Sequence, residues 1–332
     1  MHKYLMDMLE CPECHGDLKW NIKKETSNRI EEGEAICKVC GAKYPIKQDI
    51  GIFLTSQLSR NDLWEESNNQ LVQYFKEHPE IKDKLMSTSI QELSPADKFF
   101  RALLLEEEGQ LSEAKEIFKI AESEIYTSEY IECWNKQEEY ISQKLKSSKE
   151  PIIDLASGRC YFVEKLAKQT EAFIVATDFS PRILLRNRIW LKYLGVYDKI
   201  SLLAFDARMT PFKDNSIKVL TSNVGLMNIE EPKNLLKELR RVVGGKFMAI
   251  NAFYPESDKI NGDKIHKLGF DTFLFYSVMM DKFKEAGWEV QVVNQCSSKS
   301  SPTPTGKILE GASIDGLPVA DTLLKWGVIE AK

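Results

Sequence analysis

The chain has 332 residues, 43 % of them hydrophobic and 29 % charged, with a formal net charge of −5. That length suits two or three domains of ordinary globular composition, and no apolar run approaches the ~20 residues a membrane span needs. The charge is uneven, −1 over residues 1–56, −8 over 57–150 and +4 over 151–332, which is far from the strongly basic face of a dedicated nucleic-acid binder.

Residues 1–56 are punctuated by Cys11-Pro-Glu-Cys14 and Cys37-Lys-Val-Cys40. Each two-residue spacer lets both thiolates of a pair reach one ion, and four thiolates meet the tetrahedral preference of Zn²⁺. Such a closed site holds a fold together and activates no water. His15 stands beside Cys14 but is surplus to it. Cysteines used this way point to a reducing compartment. Glu10, Cys11 and Pro12 interrupt any secretory signal pattern, so the expectation is a cytoplasmic protein without membrane attachment.

Residues 57–150 are rich in Glu, Lys, Leu and Gln and read as helices. Leu111, Ala114, Phe118, Ala121 and Ile125 recur at the spacing of one helix face. With Gly109 they look like a single helical hairpin of the tetratricopeptide type. One such unit cannot stack into an array, so this stretch is expected to be a helical linker or lid packed on its neighbours.

From Pro151 strands alternate with helices, the pattern of a parallel sheet covered on both faces. The expected strands are Ile152–Leu155, Phe173–Thr177, Ile200–Ala204, Ile217–Ser222, Phe247–Asn251, Trp288–Asn294 and Leu323–Ala331, the last two forming a hairpin across a Ser/Pro/Thr-rich loop at Ser297–Thr305. Helices are expected at Phe162–Lys168, Pro181–Tyr193 (capped by Ser180), Glu231–Val243 and Thr272–Ala286. Arg182, Arg186, Arg188 and Lys192 cluster on the second of these, as a solvated face or a phosphate site.

Asp154-Leu-Ala156-Ser157-Gly158-Arg159-Cys160 falls at a strand-to-helix turn, where small residues let a ligand approach the backbone. Asp178 ends the next strand, where a carboxylate can accept both hydroxyls of a ribose. Phe205-Asp206-Ala207 follows the third strand.

The ribbon segment, through Tyr44-Pro45-Ile46 and Asp49-Ile-Gly51-Ile-Phe-Leu54, resembles the Trm112-like family of zinc proteins, partners that activate methyltransferases. Phe53 stands where that family usually has proline. Residues 150–253 resemble class I methyltransferases of the ubiquinone-biosynthesis-like group, with Ala156 and Cys160 replacing two of the family's three turn glycines. The resemblance implies an α/β fold, a Rossmann-like seven-stranded methyltransferase sheet, here with an N-terminal zinc ribbon and a helical linker domain (1–56, 57–150 and 151–332). It implies S-adenosylmethionine as cofactor. Asp154, Ala156 and Gly158 would face its methionine end, Asp178 with Phe179 and Ser180 its ribose and adenine, Asp206 and Ala207 the adenine, and Asn223 the reacting centre. No general base stands out; Phe253, Tyr254 and Phe270 are expected in the core. The leading expectation is methyl transfer to a small-molecule acceptor. The alternatives are an RNA-base methyltransferase and a non-catalytic module that binds a protein partner through the ribbon or the helices.

Overall fold

The computed structural model describes residues 1–58 and 62–332; residues 59–61, within the stretch expected to be helical, lie outside the described residues. The fold is α/β, built on strands β1 (Leu18–Glu25), β2 (Ile30–Cys37), β3 (Lys43–Lys47), β4 (Ile50–Ile52), β5 (Ile152–Asp154), β6 (Ile174–Asp178), β7 (Ile200–Ala204), β8 (Ile217–Asn223), β9 (Val243–Phe253), β10 (Val290–Ser300) and β11 (Thr322–Ala331). They form one sheet in the order β1-β2-β3-β4-β7-β6-β5-β8-β9-β11-β10. β5, β6 and β7 are buried along their whole length, as near-continuous apolar runs are when helices cover both faces of a parallel sheet. The strand order reverses at β5, with β6 on one side and β8 on the other, both parallel to it. Open α/β sheets bind ligands beyond the carboxyl ends of strands at such a switch point.

Seven strands, β5 to β11, match the expected set, and β11 returns antiparallel between β9 and β10. Three details differ. β10 runs on to Ser300 through the expected loop, because Lys299 pairs with Leu323 and Ser300 with Thr322. Ser298 and Ser300 are buried while Ser297 is exposed, and Ser298 accepts a hydrogen bond from Trp326 Nε1 at 2.9 Å. The expected Thr272–Ala286 helix is broken at Phe275, which is extended (φ −112°, ψ 127°) and buried. A further helix, Lys259–Leu268, stands in what read as a loop, opened by Asp258 accepting from Asn261 N and closed by Gly269 at φ +73°.

The N-terminal segment is continuous with this sheet. β4 lies parallel against β7, Gly51 opposite Leu203, and a Cβ on Gly51 would meet Leu203 Cδ2 at 2.7 Å. Arg29 Nη2 donates to the carbonyls of Tyr197, Asp198 and Ile200. His2 is buried with its ring nitrogens 2.7 Å from Ser201 Oγ and 2.9 Å from the Asp198 carbonyl. Leu5, Leu9, Tyr44 and Phe53 share one apolar core with Val175, Leu203 and Phe212.

The intervening residues form helices Leu63–Glu77, Pro79–Ser87, Pro95–Glu107, Leu111–Ile125 and Ser128–Leu145. Pro95–Glu107 and Leu111–Ile125 are the expected hairpin, turning at Gly109 (φ +79°) and burying Ala114, Ile117 and Ala121. Ser128–Leu145 packs on β9, β10 and β11 and is part of the sheet's helical cover. The basic cluster on Pro181–Tyr193 is engaged in ion pairs that tie neighbouring segments together. Arg182 pairs with Glu65 and Glu107, Arg186 with Glu106, and Arg188 and Lys192 with Asp49 of the ribbon. Buried Asp97 accepts from the backbone amides of Lys307, Ile308 and Leu309, fastening the β10–β11 connection to the helical segment. Among the described residues no helix is long and apolar enough to cross a membrane.

Candidate functional site

The two C-x-x-C knuckles converge. The sulfurs of Cys11, Cys14, Cys37 and Cys40 all lie within 4.8 Å of one another, with Cys11 and Cys40 at 3.6 Å and Cys14 and Cys37 at 3.4 Å. Four sulfurs ~2.3 Å from a tetrahedral Zn²⁺ stand roughly 3.8 Å apart, a spacing bracketed by the quartet, which is compatible with that ion. The backbone amides of Val39 and Cys40 donate to Cys37 Sγ and Tyr44 Oη lies 3.2 Å from Cys11 Sγ, contacts that favour thiolate. His15 is outside the set: its ring pairs with Glu10 at 2.7 Å, and Glu10 in turn with Arg241 at 2.8 Å.

At the switch point, the turn after β5 holds Ala156 at φ +52°, Gly158 at +49° and Cys160 at +62°. The two substituted glycine positions therefore keep the left-handed backbone that glycine adopts freely and an L side chain adopts at a cost of roughly 1–2 kcal/mol. Gly158 N donates to Asp178 Oδ2 at 3.0 Å and Ser180 N to Asp178 Oδ1 at 3.1 Å, so one carboxylate bridges the tips of β5 and β6. Ser180 itself caps the next helix, its hydroxyl accepting from Ile183 N. A Cβ on Gly225 would lie 2.8 Å from Ala156 Cβ, which brings the loops after β5 and β8 into contact. Val224, a branched residue at φ +53°, lies between Gly225 and Asn223; such strain persists only where surroundings enforce it.

Asp154 is 1 % exposed. Its Oδ1 accepts from Thr221 Oγ1 at 2.7 Å, and among the described residues no Lys or Arg pairs with it. Burial pushes its carboxyl up to about 6 against two opposing hydrogen bonds. A buried carboxylate with neutral partners is suited to a cationic ligand group. Asp206 is differently placed: Arg208 grips both its oxygens, Nε at 3.0 Å and Nη2 at 2.8 Å, so any adenine contact uses the lone pairs Arg208 leaves. Ala207 is buried beside it. Phe253 and Tyr254 are core residues, and His266 pairs with Asp271.

The structure adds groups that sequence reading passed over. Both ends of the Asn223 amide are engaged by helix Ser128–Leu145: Oδ1 accepts from Trp134 Nε1 at 2.9 Å and Nδ2 donates to Glu138 Oε1 at 2.9 Å. Trp134 stacks near Trp326, ring centroids 6.2 Å apart. Arg159, within the turn, is clamped by Glu106 at 2.8 and 2.9 Å and lies 3.9 Å over the Phe118 ring. No local motif marks Glu106, Phe118, Trp134 or Glu138, because the helices that carry them precede β5 in the chain.

Residues 153–249 match the family model described as a methyltransferase domain, and residues 2–49 that of Trm112p-like proteins. The chain is 37 % identical over 101 residues to the demethylmenaquinone methyltransferase of Clavibacter sepedonicus, covering 30 % of this chain and 40 % of that one. It is 27 % identical over 162 residues to that of Bacillus cytotoxicus, covering 47 % and 66 %; the matched part is thus less than two thirds of either relative. Among solved structures it is similar to the YcgJ protein of Bacillus subtilis (13 % identity, 58 % of this chain and 96 % of that one, TM-score 0.46). It is also similar to a chain in the complex of the Haloferax volcanii Trm112 methyltransferase activator with a methyltransferase (20 %, 57 % and 89 %, 0.39). Residues 153–249, the central part of the α/β sheet, are thus similar to a methyltransferase domain. The same chain carries a stretch similar to Trm112p-like proteins ahead of it.

Proposed function

We propose that this protein is an S-adenosylmethionine-dependent methyltransferase acting on a small-molecule acceptor, with its ribbon held by structural zinc. The observation that carries the reading is the bridge from Asp178 to Gly158 N and Ser180 N beside the left-handed turn. It supports the reading in which the Asp178 carboxylate accepts ligand hydroxyls next to a turn whose backbone faces the ligand at one switch point. Asp154, Ala156 and Gly158 serve the methionine end, Asp178, Phe179 and Ser180 the ribose side, Asp206 and Ala207 the adenine. The cofactor supplies an electrophilic methyl group. The chain's own work is to align the acceptor with it and keep water away; Asn223, fixed by Trp134 and Glu138, forms the wall at that point.

The ribbon, adding β4 to the edge of β7, takes the part of a built-in stabiliser. A small acceptor is favoured over RNA because the basic cluster on Pro181–Tyr193 is engaged in ion pairs, leaving little to neutralise phosphates. A reducing compartment such as the cytoplasm suits the thiolate quartet. The test is incubation of the zinc-loaded protein with methyl-labelled cofactor and separated metabolite and RNA fractions. Label is expected in the metabolite fraction; label in ribosomal RNA alone would establish the alternative acceptor.

A further inference from the structure

Two buried carboxylates meet at the tip of β8. Thr221 Oγ1 donates to Asp154 Oδ1 at 2.7 Å, and Asn223 Nδ2 donates to Glu138 Oε1 at 2.9 Å. Side chains two apart on a strand point to the same face, with Cα atoms roughly 6.6 Å apart. Asp154 and Glu138 are therefore anchored side by side on one face of the sheet, next to the Ala156–Cys160 turn. They are 1 % and 9 % exposed. Among the described residues one cation serves the pair: Lys165 Nζ lies 3.1 Å from Glu138 Oε2. Asp154 has none. Two desolvated carboxylates with one ammonium leave a site short of a positive charge, an arrangement that is unfavourable unless a ligand completes it. Burial raises the affinity of both carboxyls for a proton, which marks the same deficit. Trp134, by donating to Asn223 Oδ1 at 2.9 Å, keeps the Asn223 amide turned with its N–H toward Glu138.

We propose that Glu138 is a binding residue for the ammonium group at the methionine end of the methyl donor, held jointly with Asp154. This rests on the cofactor reading above. An ammonium carries three donors and makes charge-assisted bonds of about 2.8 Å, so it has donors for both carboxylates anchored on this face. Lys165 holds Glu138 in the unliganded protein and so competes with an incoming ligand for it.

Calorimetric titration of the full zinc-loaded chain with three ligands tests this. S-adenosylmethionine and S-adenosylhomocysteine share the ammonium, the second lacks the sulfonium charge, and 5′-methylthioadenosine lacks the amino-acid end. Glu138→Gln is expected to weaken the first two alike, about tenfold or more, and to leave the third unchanged. Lys165→Gln is expected to tighten the first two. A loss confined to S-adenosylmethionine would place Glu138 at the sulfonium instead. Equal loss for all three ligands, or Lys165→Gln weakening binding as Glu138→Gln does, would make the ion pair a helix fastener and overturn the proposal. A wild-type chain that binds none of the three would remove the cofactor reading itself, a distinguishable failure.

Discussion

Asp154→Asn should make the unliganded protein more stable while destroying its affinity for the donor. Asp154 is 1 % exposed and its carboxyl is pushed up to about 6 by burial, against about 3.9 in an unfolded chain. The folded state thus holds the proton more tightly than the unfolded one. Between about pH 4 and pH 6 stability therefore falls as pH rises, and above pH 6 the full penalty of about 3 kcal/mol stands. Asparagine keeps the volume and an acceptor for Thr221 Oγ1, so the variant should gain up to about 3 kcal/mol at pH 7.5 but only about 1 kcal/mol at pH 4.5. Urea unfolding of both proteins, zinc-loaded and free of ligand, at the two pH values measures the difference. A variant no more stable than wild type at pH 7.5, or one with the same gain at both pH values, would refute the claim that a buried, uncompensated charge is held at the end of β5.

His2 should act in the opposite sense. Burial pushes it down to about 4, so its contribution is complete above about pH 6.5 and is lost, up to about 3 kcal/mol, as pH falls to 4; the urea-midpoint difference between wild type and His2→Gln across that range reads it, and a flat difference contradicts it. Ala156→Gly should stabilise by about 1 kcal/mol by relieving φ +52°, with a destabilised variant in denaturant titration speaking against strain in the turn. Glu106→Ala should cost about 3–5 kcal/mol, because it strands Arg159 and Arg186 around a side chain only 4 % exposed; thermal unfolding close to wild type would contradict that. Metal analysis should give one zinc per chain, and chelation should raise hydrogen exchange first in β1–β4. Unchanged exchange there would argue against a metal-held ribbon.

The sheet was legible because β5 to β7 are short, mostly apolar runs separated by helical patterns. The thiolate quartet was legible because both ligands of each knuckle are local in sequence. Ser298 and Ser300 misled, since a serine-rich stretch reads as loop until its cross-strand partners are known. β4 against β7 was hidden for a different reason: Ile50–Ile52 is too short to signal which edge it joins. The same holds at the site. Asp154, Ala156 and Gly158 lie in one contiguous turn, whereas Glu138 and Trp134 reach Asn223 from 85 and 89 residues away, and nothing in their own neighbourhood distinguishes them from an ordinary amphipathic helix. Arg182, Arg186, Arg188 and Lys192 looked free on the sequence because their carboxylate partners lie on the ribbon and the helical segment.

Calorimetric titration of the zinc-loaded chain with S-adenosylmethionine, beside Asp178→Ala, tests the central claim most directly. One site per chain in wild type, with heat lost in a variant that still unfolds cooperatively at a lowered midpoint, is the predicted result. No heat from wild type, or undiminished binding without the carboxylate that joins Gly158 N to Ser180 N, would contradict it.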